Sequence, residues 1–335
     1  MKILRKFFVL LTFAAAAGLA FSCSEAAEDE TETIYMEGQV DFECPRYIGV
    51  GEILTTTVFG VTYPENPSYK WYVAMTSEDT LRTKTITVQF PDSLGNFTLT
   101  AFAEHSGFYQ SSMAATITTI DPELSFTGLA DSGKYIKDDR DGQSYSYVTL
   151  GSLDWFAQNL AYTGAGLAYE NSTILHPLVG RYYTWVEATG GVSAKGLGAG
   201  PQGACPEGWS VPTAEDWEDL AKAVSGEYHS FLDDWPGIAA PTSAEAYIND
   251  TRMWGYNPDN DHNNSTGWNA IPSGYCEDGD DFAELDSYGF WWSSAEKSSE
   301  QAYYRYQYVD MSNFPVASAN KDGIAATVRC VRIAR

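Results

Sequence analysis

The stretch ACPEGWSVPTAEDWEDL, residues 204–220, is the tightest local constraint in the chain, because nearly every residue in it fixes a geometry. Thr213 stands where a side-chain oxygen can cap a helix, and Asp216 falls at the third helical position, so the two complete a capping box. Pro212 and Trp217 flank that start as a hydrophobic staple. Trp217, Leu220, Ala221 and Val224 then recur at i, i+3, i+4 and i+7. That spacing predicts an amphipathic helix from Ala214 to about Val224, ended by Gly226, with one apolar stripe against a core. Each special residue in the stretch thus has a folding role before any chemical one.

Residues 34–121 have a different grammar. EILTTTVFGV, SYKWYVAM, KTITVQF, NFTLTAFAEH and MAATITTI are rich in β-branched and aromatic residues, several alternate, and Gly, Pro, Asn or Asp lie between them. Such runs predict an all-β sandwich in which Trp71 is buried. The segment resembles the immunoglobulin-like or PKD-type modules that serve as spacers in bacterial surface proteins. Cys44 has no partner within it, so an antibody-type disulfide is excluded there. The segment IDPELSFTGLADSG then marks a boundary, and nine of the ten tryptophans lie beyond it.

At 335 residues the chain has room for about two domains. A net charge of -25 and a pI near 4.3 exclude a nucleic-acid role, which needs clustered cations, and predict repulsion from anionic membranes. Residues 1–22 carry Lys2, Arg5 and Lys6, then an apolar run too short to favour a spanning helix, then small Ser22 before Cys23. They resemble a bacterial lipoprotein signal in which Cys23 becomes the lipidated first residue, although Ala20 stands where Leu is usual. Residues 23–33 form an acidic stretch that cannot bury enough surface to order itself and reads as a tether. It is similar to the export signal of surface lipoproteins of the Bacteroidetes. That resemblance implies attachment to the outer membrane, facing the cell exterior.

From Lys137 onward six blocks occur in order: DDRDGQSYSYVTLGSLDWFAQNL, GRYYTWVEATG, CPEGWSVPTAEDWEDL, GWNAIPSGY, GFWWSSAE and AATVRCVR. Residues 122–335 therefore resemble the Fibrobacter succinogenes major paralogous domain, a family of exported bacterial surface domains. The resemblance implies an α+β C-type-lectin-like C-terminal domain with two short helices, preceded by the all-β immunoglobulin-like sandwich. Cys205 lies just before the expected helix and Cys330 in the last expected strand. A bridge between them would close a loop of about 125 residues, worth roughly 4 to 5 kcal/mol in the chain-entropy model; two buried free thiols are the alternative. The same block order resembles the formylglycine-generating enzymes, which need reactive cysteines. Cys276, however, sits among Glu277, Asp278, Asp280 and Asp281, and neighbouring negative charge suppresses a thiolate.

Candidate binding residues come from TRMWGYNPDNDHNNSTGWN, which interleaves Trp254 and Tyr256 with Asn257, Asp259, Asp261 and Asn263. Aromatic faces beside side-chain oxygens and amides suit a glycan or a polar peptide; a plain surface loop full of turn formers is the alternative. Asp259, Asp261 and Asn263 imitate a calcium loop, but Asn264 and Ala270 stand where an EF-hand needs Gly and Glu. No metal or cofactor is implied, since the four histidines, at 105, 176, 229 and 262, are scattered and no Cys/His spacing suits zinc. In FWWSS, adjacent Trp291 and Trp292 point to opposite faces of a strand, so one is expected in the core and the other at the surface. AYYRYQYVD alternates similarly and could expose one aromatic face. These readings together predict a non-catalytic surface lipoprotein that binds an extracellular glycan or peptide, as an adhesin or beside a TonB-dependent transporter. A structural subunit of a surface layer or pilus is the second expectation and an enzyme the last.

Overall fold

The structure, a computed structural model, describes residues 33–74, 81–255 and 261–335. Residues 1–22, Cys23 and the tether up to residue 32 lie outside the described residues.

The first half is all β. Strands β1 (Tyr47–Gly49), β6 (Ser111–Ile120), β5 (Gly95–Glu104) and β3 (Ser68–Val73) form one sheet in that order, with β1 parallel to β6. Strands β2 (Ile53–Thr57) and β4 (Thr85–Gln89) form a second. Alternation explains why the two face each other. In β4, Ile86 and Val88 point inward, while outward Thr85 and Thr87 share hydroxyl hydrogen bonds with Thr57 and Thr55 at 2.8 and 2.9 Å. Full burial of each such aliphatic side chain contributes roughly 1.5–3 kcal/mol. Trp71, fully buried, joins Phe42, Val58, Leu99 and Ile117 in the shared core and meets the Phe42 ring at 4.9 Å.

The second half is not the α+β C-type-lectin-like domain that the resemblance implied. Among the described residues strands make up 39% and helices 10%, and the strands form many small sheets. One four-stranded sheet runs Val331–Ile333, Leu153–Phe156, Ser144–Leu150, Tyr135–Lys137, and a second Tyr183–Thr184, Ile324–Ala326, Tyr275–Glu277, Asp281–Ala283. Tyr288–Glu296, Gln301–Tyr308 and Val316–Asn320 make a three-stranded sheet. Among the described residues only Ala214–Ser225 is an α-helix longer than five residues. The physical reason is punctuation. His176–Val179 and Trp185–Thr189 are stopped at once by Gly180 and Gly190, whose φ values of 76° and 66° suit glycine and end a helix.

The long helix follows the spacing that specified it. Thr213 Oγ1 accepts from Asp216 N at 3.2 Å, Asp216 Oδ2 accepts from Thr213 N at 2.8 Å, and Gly226 closes the helix at φ 81°. Trp217, Leu220 and Ala221 are buried against Trp155, Trp235, Trp268 and Phe314. The Trp155–Trp217 and Trp268–Trp291 ring centroids are 4.9 Å apart, tilted or edge-on, arrangements that add about 0.5–1.5 kcal/mol beyond area burial.

Trp291 and Trp292 correct the expectation of one buried and one exposed ring. They do point to opposite faces, yet both are fully buried, because the strand Tyr288–Glu296 runs between two cores. The segment 120–133 likewise does more than connect. Its Phe126–Thr127 pairs with Tyr247–Ile248, which pairs in turn with Thr251–Arg252, so this stretch is built into the sheets of the second half. Where the halves meet, a hollow of about 580 Å³ is lined by Arg46, Tyr47, Asn96, Asn249, Arg252 and Asp286.

Candidate functional site

Trp254, the aromatic of the expected binding loop that lies among the described residues, is turned inward. Met253 N donates to Ala246 O at 2.8 Å and Gly255 N to Asp286 O at 3.0 Å, and these bonds cinch the intervening residue inward. Trp254 is consequently 1% exposed, with its ring stacked on His262 at 5.2 Å and 6°. A cavity of about 10 Å³ beside them is no larger than one water requires. Burial, then the charge of Arg252, lowers the His262 imidazole to about 4, so it is neutral at physiological pH. Asp261 and Asn263 are exposed, and Asn263 Nδ2 donates to Asp261 Oδ2 at 3.2 Å. Tyr256, Asn257 and Asp259 lie outside the described residues. Trp254 therefore packs the fold and offers no exposed ring face to a ligand, where the sequence predicts an exposed one.

The aromatic surface lies instead on the strand Gln301–Tyr308. Its alternation places Tyr304, Tyr306 and Tyr308 on one half-exposed face, opposite Trp292, Phe290 and Tyr288 on the neighbouring strand. Tyr288 meets Tyr308 at 4.3 Å and Phe290 at 5.3 Å, and Phe290 meets Tyr304 at 5.2 Å and Tyr275 at 4.9 Å. The rings form a continuous ladder. Within it a hollow of about 360 Å³ is lined by Tyr275, Tyr288, Phe290, Tyr304 and Tyr306, with the carboxylates Glu277 and Glu284 at its rim, both exposed. Burial raises the phenols of Tyr275, Tyr288 and Tyr306 and lifts Tyr304 to about 12, so all four stay neutral hydrogen-bonding groups.

The reverse face of the same strand is fastened down. Arg305, fully buried, donates to Asp233 O at 3.0 Å, to Phe314 O at 2.6 Å and to Phe231 O, with its guanidinium 3.2 Å from the Trp235 ring centroid. Gln307 accepts from Ser243 Oγ at 2.5 Å and donates to Thr242 Oγ1 at 2.7 Å. A strand anchored through alternate residues holds the outward tyrosines in fixed register. Tyrosine suits such a surface, because it offers a large rigid contact area and a polar tip at low entropic cost.

This ladder, the long helix and the last strand's pairing with Leu153–Phe156 all fall within residues 148–332, give or take one residue, the span that matches the family model for the Fibrobacter succinogenes major domain. The chain belongs to that family. A search of curated proteins finds no match. Inside the Fibrobacter succinogenes major domain, Cys205 and Cys330 form a disulfide across a sequence separation of 125, with both cysteines fully buried. Between Cys330 and Val328 sits a residue whose role the sequence reading missed. Arg329 is fully buried and donates to Trp268 O at 2.6 Å, Asn269 O at 2.7 Å, Phe156 O at 3.1 Å and Asn159 Oδ1 at 2.7 Å. No carboxylate is among these partners, and burial lowers its guanidinium to about 9, still protonated at physiological pH. A cation set in the apolar run AATVRCVR was the available signal.

Cys276 in this domain is buried, and its thiol is pushed up to about 11, first by burial and then by Asp280, Asp281 and Asp278. At neutral pH it is a thiol, a poor nucleophile and a poor metal ligand.

Proposed function

We propose that this protein is a lipid-anchored surface protein whose family domain binds an extracellular glycan or peptide through the tyrosine ladder. The observation that carries this reading is the half-exposed face of Tyr275, Tyr288, Tyr304 and Tyr306 around a hollow of about 360 Å³, within the size range of ligand sites, with Tyr308 extending the ladder beside it. Ring faces and edges suit sugar C–H surfaces or peptide side chains, while phenol hydroxyls, Glu277 and Glu284 take hydroxyl or amide hydrogens. A lipidated Cys23 followed by acidic residues supports a location on the outer membrane, facing outward. The first half, with two sheets around the Trp71 core, acts as an immunoglobulin-like spacer that lifts the binding domain from the surface. In that position it serves as an adhesin or as a companion to a TonB-dependent transporter. The raised thiol of Cys276 disfavours the formylglycine-generating reading.

Arrays of glycans and of peptides probed with the purified protein test the proposal. A defined subset of either class is expected to bind, and binding is expected to fall about tenfold or more in Tyr306→Ala. Binding that survives unchanged in Tyr306→Ala and Tyr304→Ala would move the site away from the ladder.

A further inference from the structure

A second aromatic surface lies at the opposite end of the sequence, where the described chain begins. Tyr35 is 81% exposed, Tyr109 51%, Tyr63 48% and Ile34 45%. They are not scattered. Tyr35 and Tyr109 rings meet at 5.0 Å, Tyr63 meets Phe108 at 5.5 Å, and backbone bonds from Ile34 N to Gly107 O at 3.1 Å and from Tyr109 N to Ile34 O at 2.9 Å hold the group together. The chain that precedes Ile34 therefore leaves from the middle of this patch.

We infer that the patch rests on the headgroup layer of the bilayer that holds Cys23, an inference that depends on acylation of that cysteine. Ten residues separate Cys23 from Ile34. Even fully extended they reach at most about 40 Å, so the patch cannot stray far from its anchor. Tyrosines are amphipathic and settle at the membrane–water boundary, ring inward and hydroxyl outward. A second contact of this kind strengthens an anchor and fixes orientation, turning the first half into an upright stalk. Exposed Glu37 flanks the patch, and the run between Cys23 and Thr33 is acidic; both favour zwitterionic over anionic lipid.

The test uses the full acylated chain in phosphatidylcholine vesicles whose acyl chains carry bromine near the headgroup. Tyr109→Trp adds a fluorophore in the patch, and Tyr228→Trp adds one at an exposed position, 68% accessible, in the second half. The added fluorescence is expected to fall about twofold for Tyr109→Trp and to remain unchanged for Tyr228→Trp. Mass spectrometry of the same sample separates the two ways of failing. Cys23 without an acyl group overturns the anchoring itself, whereas acylated protein with no quenching at position 109, or equal quenching at both positions, overturns the seating of the patch alone.

Discussion

Trp291 and Trp292 are neighbours in sequence, fully buried, and members of different cores. Trp291 Nε1 donates to Asn159 Oδ1 at 2.9 Å and packs with Trp268 and Phe314, while Trp292 Nε1 donates to Tyr183 O at 2.8 Å and meets the Tyr304 ring at 5.8 Å. One strand thus couples the aromatic core beneath the long helix to the core behind the tyrosine ladder. Because the two rings share no partner among these contacts, Trp291→Phe and Trp292→Phe should each cost about 1–3 kcal/mol and combine additively within about 0.5 kcal/mol. Urea denaturation of the single and double variants checks this, and a coupling well beyond that margin would mean that the cores are one.

The disulfide should be the largest single contributor that chemistry can remove without mutation. It joins the segment before the long helix to the residue just ahead of the last strand, Val331–Ile333, and closes a loop of 125 residues, for which chain entropy gives roughly 4 to 5 kcal/mol. Reduction, or Cys205→Ala with Cys330→Ala, should lower the melting temperature of the second half sharply. An unchanged melting curve under reductant would show that the loop is already constrained by packing.

Arg329 makes a different demand. Its four bonds bring together Phe156, Asn159, Trp268 and Asn269 from distant parts of the sequence. Lysine keeps the charge but cannot supply the planar fork, so Arg329→Lys leaves buried carbonyls without donors at about 1–3 kcal/mol each. The variant should be destabilised by at least about 3 kcal/mol in chemical denaturation. Near-wild-type stability would show that water satisfies the carbonyls.

Acid should loosen the fold over a defined window. His176 and His262 are lowered from 6.5 to about 4, chiefly by burial and then by Arg181 and Arg252 respectively. The unfolded chain takes up these protons between pH 6.5 and 4 while the folded chain does not, so their contribution is complete above pH 6.5 and lost as the pH falls. Buried Asp216 acts in the opposite sense, raised from 3.8 to about 6, with stability lost as the pH rises through its folded value. Two imidazoles against one carboxyl leave a net loss toward acid. Melting temperatures from pH 7 to 4 should therefore fall, and fall less steeply in His262→Phe; an identical slope in that variant would contradict the neutral buried state of His262.

The parts of this fold that were legible in the sequence are the parts set by near neighbours. The capping box at Thr213 and Asp216, the apolar stripe through Trp217 and Leu220, and the alternation of Ile86 and Val88 are all decided within a few residues. What the sequence hid depends on distant partners. Trp254 sits among turn formers and reads as exposed, yet backbone bonds to Ala246 and Asp286 fold it under His262. One indole of FWW, with nothing to say which, reads as a surface residue until the other core behind the strand is present. The tyrosine ladder was visible only as an alternation; which face was free depended on Arg305 and Gln307 being drawn into loops and a short helix from residues 231–243. The lectin-like α+β domain is not what formed, because glycines stop His176–Val179 and Trp185–Thr189 at once and the aromatic runs pair as strands.

Side-by-side binding isotherms of wild type, Tyr306→Ala and Trp254→Phe, against whichever array ligand binds the intact protein, examine the tyrosine ladder most directly. Tyr306→Ala should weaken the affinity about tenfold or more with little change in melting temperature, while Trp254→Phe should lower the melting temperature and leave the affinity of the folded protein intact. The reverse pattern, with affinity lost at Trp254 and kept at Tyr306, would return the site to the loop of residues 251–269 and contradict binding at the ladder.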